Sequence, residues 1–302
     1  MKSLALRGMN KLGNAMTQRQ RRFVLNRLGV AILLDNLAGD QFDELPLPNG
    51  ISLSFSPLLH AHISKNGQLE YEDHVAHVIE ECLGRGDVFY DAGANVGIFA
   101  FMAATLVGEK GAVYAFEPEP NNVLCFQRSL ESAPVHNVEL HDIALGGEDG
   151  TMTFDRRGGA FSGRLVDSED EIESDGVCEI QVRSIDSLLA AGMPPPSFIK
   201  IDVEGGEGLV LEGAKETLRA HKPTVLCEMH PDNQAGVRRA FAALKDAGYV
   251  CQSIDGPTVG AADEPTDGAA DGAADGATVG AVDIVDGPLD QDRAYYVLAR
   301  AH

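Results

Sequence analysis

The sequence predicts a doubly wound α/β fold with a seven-stranded, mostly parallel sheet whose last strand is antiparallel. Three observations lead there. Short apolar runs alternate with helix-like stretches from about residue 87 onward. Those runs are apolar at nearly every position, as strands covered on both faces must be. Several end in a glycine-rich turn or an acidic residue, where an open α/β sheet places its ligand crevice.

Taken in order, residues 1–70 read as an N-terminal extension, helical over 1–35 and then short strands over 50–64. The main domain spans 71–302. It opens with a helix over 71–83 that stops at Gly84. Strand 87–91, helix 96–106, strand 111–116, helix 120–132 and strand 137–142 make a βαβαβ unit. Residues 150–183 interrupt it with two antiparallel additions, TMTF and CEIQVR, around an acid-rich exposed loop, GRLVDSEDEIESDG. The core resumes with strand 197–201, helix 206–220, strand 224–229, helix 233–247 and strand 249–254. Residues 255–292 hold ten acids and no Lys or Arg, with DGAA and TVGA each occurring twice. Small and charged residues do not repay the entropy of ordering, so this reads as a surface insert. Its Asp–Gly recurrence matches neither the nonapeptide nor the EF-hand calcium pattern. Strand 294–299 closes the domain and pairs antiparallel with strand 249–254 at the sheet edge.

The 302 residues carry 46 acids against 24 Lys and Arg, a formal net charge of −22. Such a surface repels phosphate backbones, which argues against a nucleic acid substrate. It also suits work at high salt, a halophilic setting, where screening weakens like-charge repulsion. No Trp is present and 6% of residues are aromatic, which does not favour an aromatic-lined glycan platform. Seven Lys and Arg, from Lys2 to Arg27, precede the first acid, Asp35. This leader reads as a solvated helix packed on the domain, with peripheral contact to an anionic membrane or a partner as the other reading. No apolar run is long enough for a secretory core or a spanning helix, so a soluble cytoplasmic protein is expected. A homodimer is an option that the sequence does not decide. The five cysteines lack CxxC spacing and suggest neither zinc nor disulfides; Cys227 and Cys251 read as core residues.

The first strand runs into DAGANVG, residues 91–97. Gly93 and Gly97 let a turn pass close to a ligand, but the spacing is not the G-x-G-x-x-G of a dinucleotide site, nor a Walker loop. A small-residue turn without pyrophosphate spacing suits a phosphate-free cofactor, and S-adenosylmethionine fits. Asp91 would face its cationic end, directly or through backbone and water. Gly93 would admit the methionine part, and Asn95 would cap the helix or bond the ligand. The second strand ends in FEPEP, so Glu117 stands at the neighbouring tip, where a carboxylate accepts both ribose hydroxyls and rejects a 2′-phosphate. Pro118 ends that strand and Pro120 opens the next helix. Asp142 and the Ile143 backbone N–H are the candidates for the adenine edge; an ordinary cap is the plainer reading of Asp142.

The fourth strand runs into KIDVEGGE, residues 200–207. Period two puts Lys200, Asp202 and Glu204 on one side, and Glu228 with His230 at the next tip. Acids there can orient a hydroxyl and accept its proton while a methyl group transfers, a reaction governed by alignment and a nearby base. Asp202, Glu204, Glu228 and His230 form a metal-free acid–imidazole cluster or a seat for one hard divalent cation; spacing does not separate these, and the metal-free version is preferred. Lys200 also reads as a salt-bridged strand residue, and Glu207 as a first-turn helix charge. His60, His62 and Glu72 wall the pocket or are plain surface polars.

The segments DVFYDAGANVGIFAF, GAVYAFEPEPNN, NVELHDIALGGEDGTMTF, VRSIDSLL and FIKIDVEGGEGLVLEGAKETL, with KPTVLCEMH, resemble the FkbM family of methyltransferases over roughly residues 70–254. The resemblance implies a class I, Rossmann-like methyltransferase fold, S-adenosylmethionine as cofactor, and transfer to hydroxyls of polyketide products or sugars. It places the cofactor blocks on Asp91, Gly93, Asn95, Gly97 and Glu117. The strand-end acids fall on Asp202, Glu204 and Glu228, with His230 beside them; the family's catalytic base is not assigned by it. The chain departs from the family pattern at Gly206, where Ala is common, and in the insert and leader. The expected acceptor is a small-molecule or glycan hydroxyl: a sugar, glycolipid or secondary metabolite. Two other classes compete, a cofactor-binding scaffold without turnover and a nicotinamide oxidoreductase. Titration with S-adenosylmethionine and NAD separates the third, and labelled methyl transfer the second.

Overall fold

The computed structural model describes residues 42–61, 63–65, 67–155, 164–166, 177–230, 233–254 and 295–301. Residues 1–35, expected to be helical, with the basic leader, His62, most of the acid-rich stretch and residues 255–292 lie outside the described residues. Among the described residues, no helix is long and apolar enough to cross a membrane.

A hairpin of β1 (Asp43–Pro46) and β2 (Ser52–Phe55) and a small one of β3 (Ser64–Lys65) and β4 (Gln68–Leu69) precede α1 (Asp73–Cys82). The main alternation follows: β5 (Val88–Ala92), α2 (Ile98–Val107), β6 (Ala112–Phe116), α3 (Pro120–Ser132) and β7 (Val138–His141). Next come β8 (Ala144–Leu145), β9 (Gly150–Asp155), β10 (Arg164–Val166), β11 (Val177–Arg183) and α4 (Ile185–Ala190). The chain then forms β12 (Phe198–Ile201), α5 (Glu207–Glu212), α6 (Lys215–His221) and β13 (Thr224–Met229). It closes with α7 (Gln234–Asp246), β14 (Tyr249–Ser253) and β15 (Tyr295–Ala301).

The seven-stranded sheet runs β14-β15-β13-β12-β5-β6-β7. β15 is antiparallel to both neighbours and the pairs among β13, β12, β5, β6 and β7 are parallel, as the sequence predicts. Consecutive residues face opposite cores. Phe89, Phe198 and Leu226 pack with α1, α2 and α3. Tyr90, Ile199, Val225 and Cys227 pack with α5, α6 and α7. Burial on both faces explains why the strands read as unbroken apolar runs. Order reverses between β5 and β12, and a crevice opens beyond their carboxyl ends at such a switch point. β1–β2 is part of the same core: Leu53 and Phe55 are buried in it, and the Ser54 amide donates to Ser129 Oγ at 2.8 Å.

Two expectations are corrected. The helix expected over 206–220 is two helices. α5 ends at Gly213, whose carbonyl accepts from the Asp186 amide, and the Asp186 carboxylate caps α6 by accepting from the amides of Glu216 (2.9 Å) and Thr217 (2.8 Å). The expected loop after TMTF begins with strand β10, which pairs antiparallel with β9 in a second sheet of order β10-β9-β11-β8.

Candidate active site

At the β5 tip, Gly93 has φ +78° and a Cβ there would lie 1.8 Å from the Asp202 carbonyl oxygen. Only glycine lets the two loops of the switch point meet so closely. Gly97 has φ +98° and its α-carbon packs on the rings of Phe101 and Phe126. Asn95 does not cap α2, whose N-cap is Gly97. Instead Asn95 sits at φ +51°, its side chain accepts from the Val96 amide, and its own amide donates to Glu117 Oε2 at 2.8 Å.

Glu117 is buried at the β6 tip. Its Oε1 accepts from the Glu119 amide (2.9 Å) and Asn122 Nδ2 (3.2 Å). Burial raises its pKa to about 7, against these donors, which lower it. Pro120 occupies the first turn of α3 as expected, with Glu119 as the cap. Beyond β7, Asp142 is exposed and Ile143 half-buried. The His141 ring stacks on Phe116 with centroids 5.2 Å apart.

The other half of the crevice is crowded with charge. Parallel register sets Lys200 beside Asp91 and Leu226. Lys200 is buried, and its Nζ donates to the Gly93 carbonyl (3.1 Å) and pairs with Asp91 Oδ1 (3.3 Å) and Asp202 Oδ2 (3.4 Å). The salt-bridged reading of Lys200 is what the structure has. Asp91 is fully buried, and neither oxygen meets an aligned hydrogen-bond donor; the Lys200 ammonium is its countercharge. Burial raises the Asp91 pKa, and Lys200 works the other way.

Asp202, Glu204, Glu228 and His230 converge, but β12 stops at Ile201, so the following turn and not strand parity brings Glu204 there. Glu204 has φ +54°, an uncommon backbone for a residue with a side chain. His230 Nε2 lies 3.5 Å from Glu204 Oε2 and 3.9 Å from Glu228 Oε2. One ligand atom each from Asp202, Glu228 and His230 lies within 4.8 Å of the others, a spacing that suits one hard divalent cation. Asp202 and Glu228 behave as a pair. Burial and the neighbouring Asp202 push Glu228 far up. Asp202 stays below the usual range because Lys200, the bond with Glu228 and His230 together outweigh its burial. Burial would lower His230, but Glu207 and Glu204 raise it to about 9.

Three residues here escaped the sequence reading or were misread by it. Glu207 is the first-turn helix charge expected, but its burial was not foreseen: it is 1% exposed, 2.9 Å from His230 Nδ1. Tyr296 lies opposite Glu228 in the β13–β15 register, its hydroxyl 3.4 Å from Glu228 Oε2. His60 neither walls a pocket nor lies on the surface. It is fully buried, with Nε2 2.8 Å from Asn122 Oδ1 and Nδ1 accepting from the Ser56 amide. Cys227 and Cys251 are buried free thiols, as expected.

Comparison with known proteins agrees with this geometry. The Methyltransferase FkbM domain matches residues 91–251, more than half of the chain. The hexuronic acid methyltransferase AglP of Haloferax volcanii is 29% identical over 163 residues, covering 54% of this chain and 64% of its own length. The 31-O-demethyl-FK506 methyltransferase FkbM of Streptomyces tacrolimicus is 27% identical, covering 70% of this chain and 90% of its own. The 2-O-methyltransferase NoeI of Sinorhizobium fredii is 26% identical, covering 43% and 58%. The chain thus spans just under two thirds of the archaeal relative. With a doubly wound sheet, a glycine turn at its switch point and a family match over residues 91–251, the chain belongs to the FkbM family of S-adenosylmethionine-dependent methyltransferases.

Proposed function

We propose that the chain transfers a methyl group to a hydroxyl of a sugar, glycolipid or secondary metabolite. What carries this reading is the convergence of Asp202, Glu204, Glu228 and His230 from two adjacent strand ends, beside the Gly93 turn. The relatives' names, which speak of a hexuronic acid, an FK506 precursor and 2-O-methylation, point to the same acceptor class.

S-adenosylmethionine, when bound, supplies an electrophilic methyl carbon. The donor set along β5, β6 and β7 fits it. Glu117 would offer its remaining lone pairs to the ribose hydroxyls, Asp142 and the Ile143 amide would take the adenine edge, and the Gly93–Gly97 turn would leave room for the methionine part. Asp91 is fully buried against Lys200, so its part would be to hold the lysine that donates to the Gly93 carbonyl and so fix the turn, not to face the cationic end. At the other half, Asp202 is the ionised acid and accepts the acceptor hydroxyl proton. Glu228 holds a proton and donates it to Asp202, because two carboxylates this close do not both ionise. His230, flanked by Glu204 and Glu207, lends the positive charge that keeps Asp202 ionised.

Labelled methyl transfer into sugar and glycolipid acceptors tests this. Asp202→Asn should slow transfer by about 10²- to 10⁴-fold, with calorimetric affinity for S-adenosylmethionine within about threefold of the parent chain. An unimpaired Asp202→Asn variant overturns the assignment. The 4.8 Å cluster favours a second reading, in which a divalent cation replaces the shared proton and holds the acceptor oxygen. Loss of activity on dialysis against a chelator, restored by Mg²⁺, selects it.

A further inference from the structure

A carboxylate in the first turn of a helix normally faces water. Glu207 opens α5 yet is 1% exposed, and burying a carboxylate is costly unless hydrogen bonds hold it. Two do. Its Oε1 accepts from the Gly205 amide at 2.8 Å and lies 2.9 Å from His230 Nδ1. Because that oxygen already accepts one N–H, it is an acceptor, and Nδ1 of His230 carries the proton it meets. The ring is thereby turned so that Nε2 faces Glu204 and Glu228, at 3.5 and 3.9 Å.

The loop is built to hold this. Glu204 and Gly205 take left-handed conformations, φ +54° and +100°. The Gly205 carbonyl accepts from Asn233 Nδ2 at 2.6 Å, and Asn233 in turn caps α7 by accepting from the Gly236 amide at 3.0 Å. Unfavourable backbone persists where its surroundings over-determine it. Here the surroundings fix a buried carboxylate under an imidazole.

We propose that Glu207 is a positioning residue of the acceptor site. It fixes the ring plane of His230, so that Nε2 is the nitrogen presented to Asp202, Glu204, Glu228 and the acceptor. The role rests on the reading of His230 as part of that site. It is the same whether Nε2 faces a substrate oxygen or a cation, since a carboxylate on the far nitrogen orients the ring in either setting.

The test compares Glu207→Gln with His230→Gln in the full chain. Glu207→Gln keeps the shape and one acceptor oxygen but removes the charge that commits the Nδ1 proton. We expect kcat for methyl transfer to fall about 10- to 100-fold, with the acceptor KM and calorimetric S-adenosylmethionine affinity within about threefold. The ¹⁵N spectrum of His230 should lose the strongly hydrogen-bonded Nδ1–H signal that a carboxylate partner gives. A Glu207→Gln variant with parental kcat and an unchanged His230 spectrum, beside an inactive His230→Gln, overturns the positioning role and leaves the site reading standing. A fully active His230→Gln removes the site reading and the proposal with it. Thermal unfolding of each variant separates loss of fold from loss of rate.

Discussion

The two halves of the crevice are built by different physics. Along β5, β6 and β7, polar groups are tied to backbone amides: Glu117 accepts from Asn95 and Glu119, and Glu119 from Asn121 and Asn122. Along β12 and β13, ionisable side chains mostly face one another: Lys200 with Asp91 and Asp202, and His230 with Glu204, Glu207 and Glu228. Backbone-tied groups keep their positions whatever their neighbours become. Mutually dependent charges do not, and removing one member leaves another buried without its partner. The first half suits an invariant ligand, and the second a reaction in which a proton must move.

The contrast breaks most severely at Gly93, where the halves touch. Gly93→Ala brings a methyl group onto the Asp202 carbonyl and strains φ +78°. Stability should fall by about 3 kcal/mol or more, with both cofactor affinity and turnover lost, as urea unfolding and calorimetry would show. A mild phenotype would mean that the loops separate freely. Next in size, Glu117→Gln should weaken S-adenosylmethionine binding about 10- to 100-fold, and leave kcat at saturating cofactor within about threefold. If kcat falls instead, the halves are not separable.

A pH effect sharpens the same division. Burial raises Glu117 from 4.5 to about 7, so the unliganded protein takes up a proton there that the unfolded chain does not hold between those values. This group's contribution to stability is therefore fullest below about 4.5 and falls as pH rises to about 7. Cofactor binding wants the ionised carboxylate, so affinity should drop by up to about tenfold per pH unit below 7. Titration calorimetry between pH 5.5 and 8 measures it, and Glu117→Gln should flatten it. The smallest expected effect is at exposed Asp142. Its replacement by Ala should cost about 0.5–1.5 kcal/mol of binding, read as a three- to tenfold rise in Kd.

The same difference decides how much could be read beforehand. Strand and helix order was legible because double-sided burial writes continuous apolar runs, and the acids were legible as neighbours of the strand ends, though the turn that carries Glu204 was not. The β5 turn was legible because glycines, an acid and a following helix are neighbours in sequence. Relations that join distant segments were not. Glu207 and His230 are 23 positions apart, and nothing local tells a buried first-turn acid from a solvated one. Tyr296 reaches Glu228 from 68 positions away, across the acidic insert. The break between α5 and α6 depends on Asp186, about 30 positions upstream, which supplies the cap that an unbroken helix would not need. His60 shares β2's side of the core with Asn122, a pairing set by how α3 lies on the hairpin.

Lys200 touches Asp91, Asp202 and the Gly93 carbonyl at once, and this constrains how the protein can change over generations. Replacing Lys200 leaves Asp91 buried without its countercharge, so genotypes that keep Asp91 and lose the lysine are disfavoured. Descendants should inherit Asp91 and Lys200 together or exchange both for an uncharged packing, while Asp202, partly exposed at the acceptor end, is freer to change.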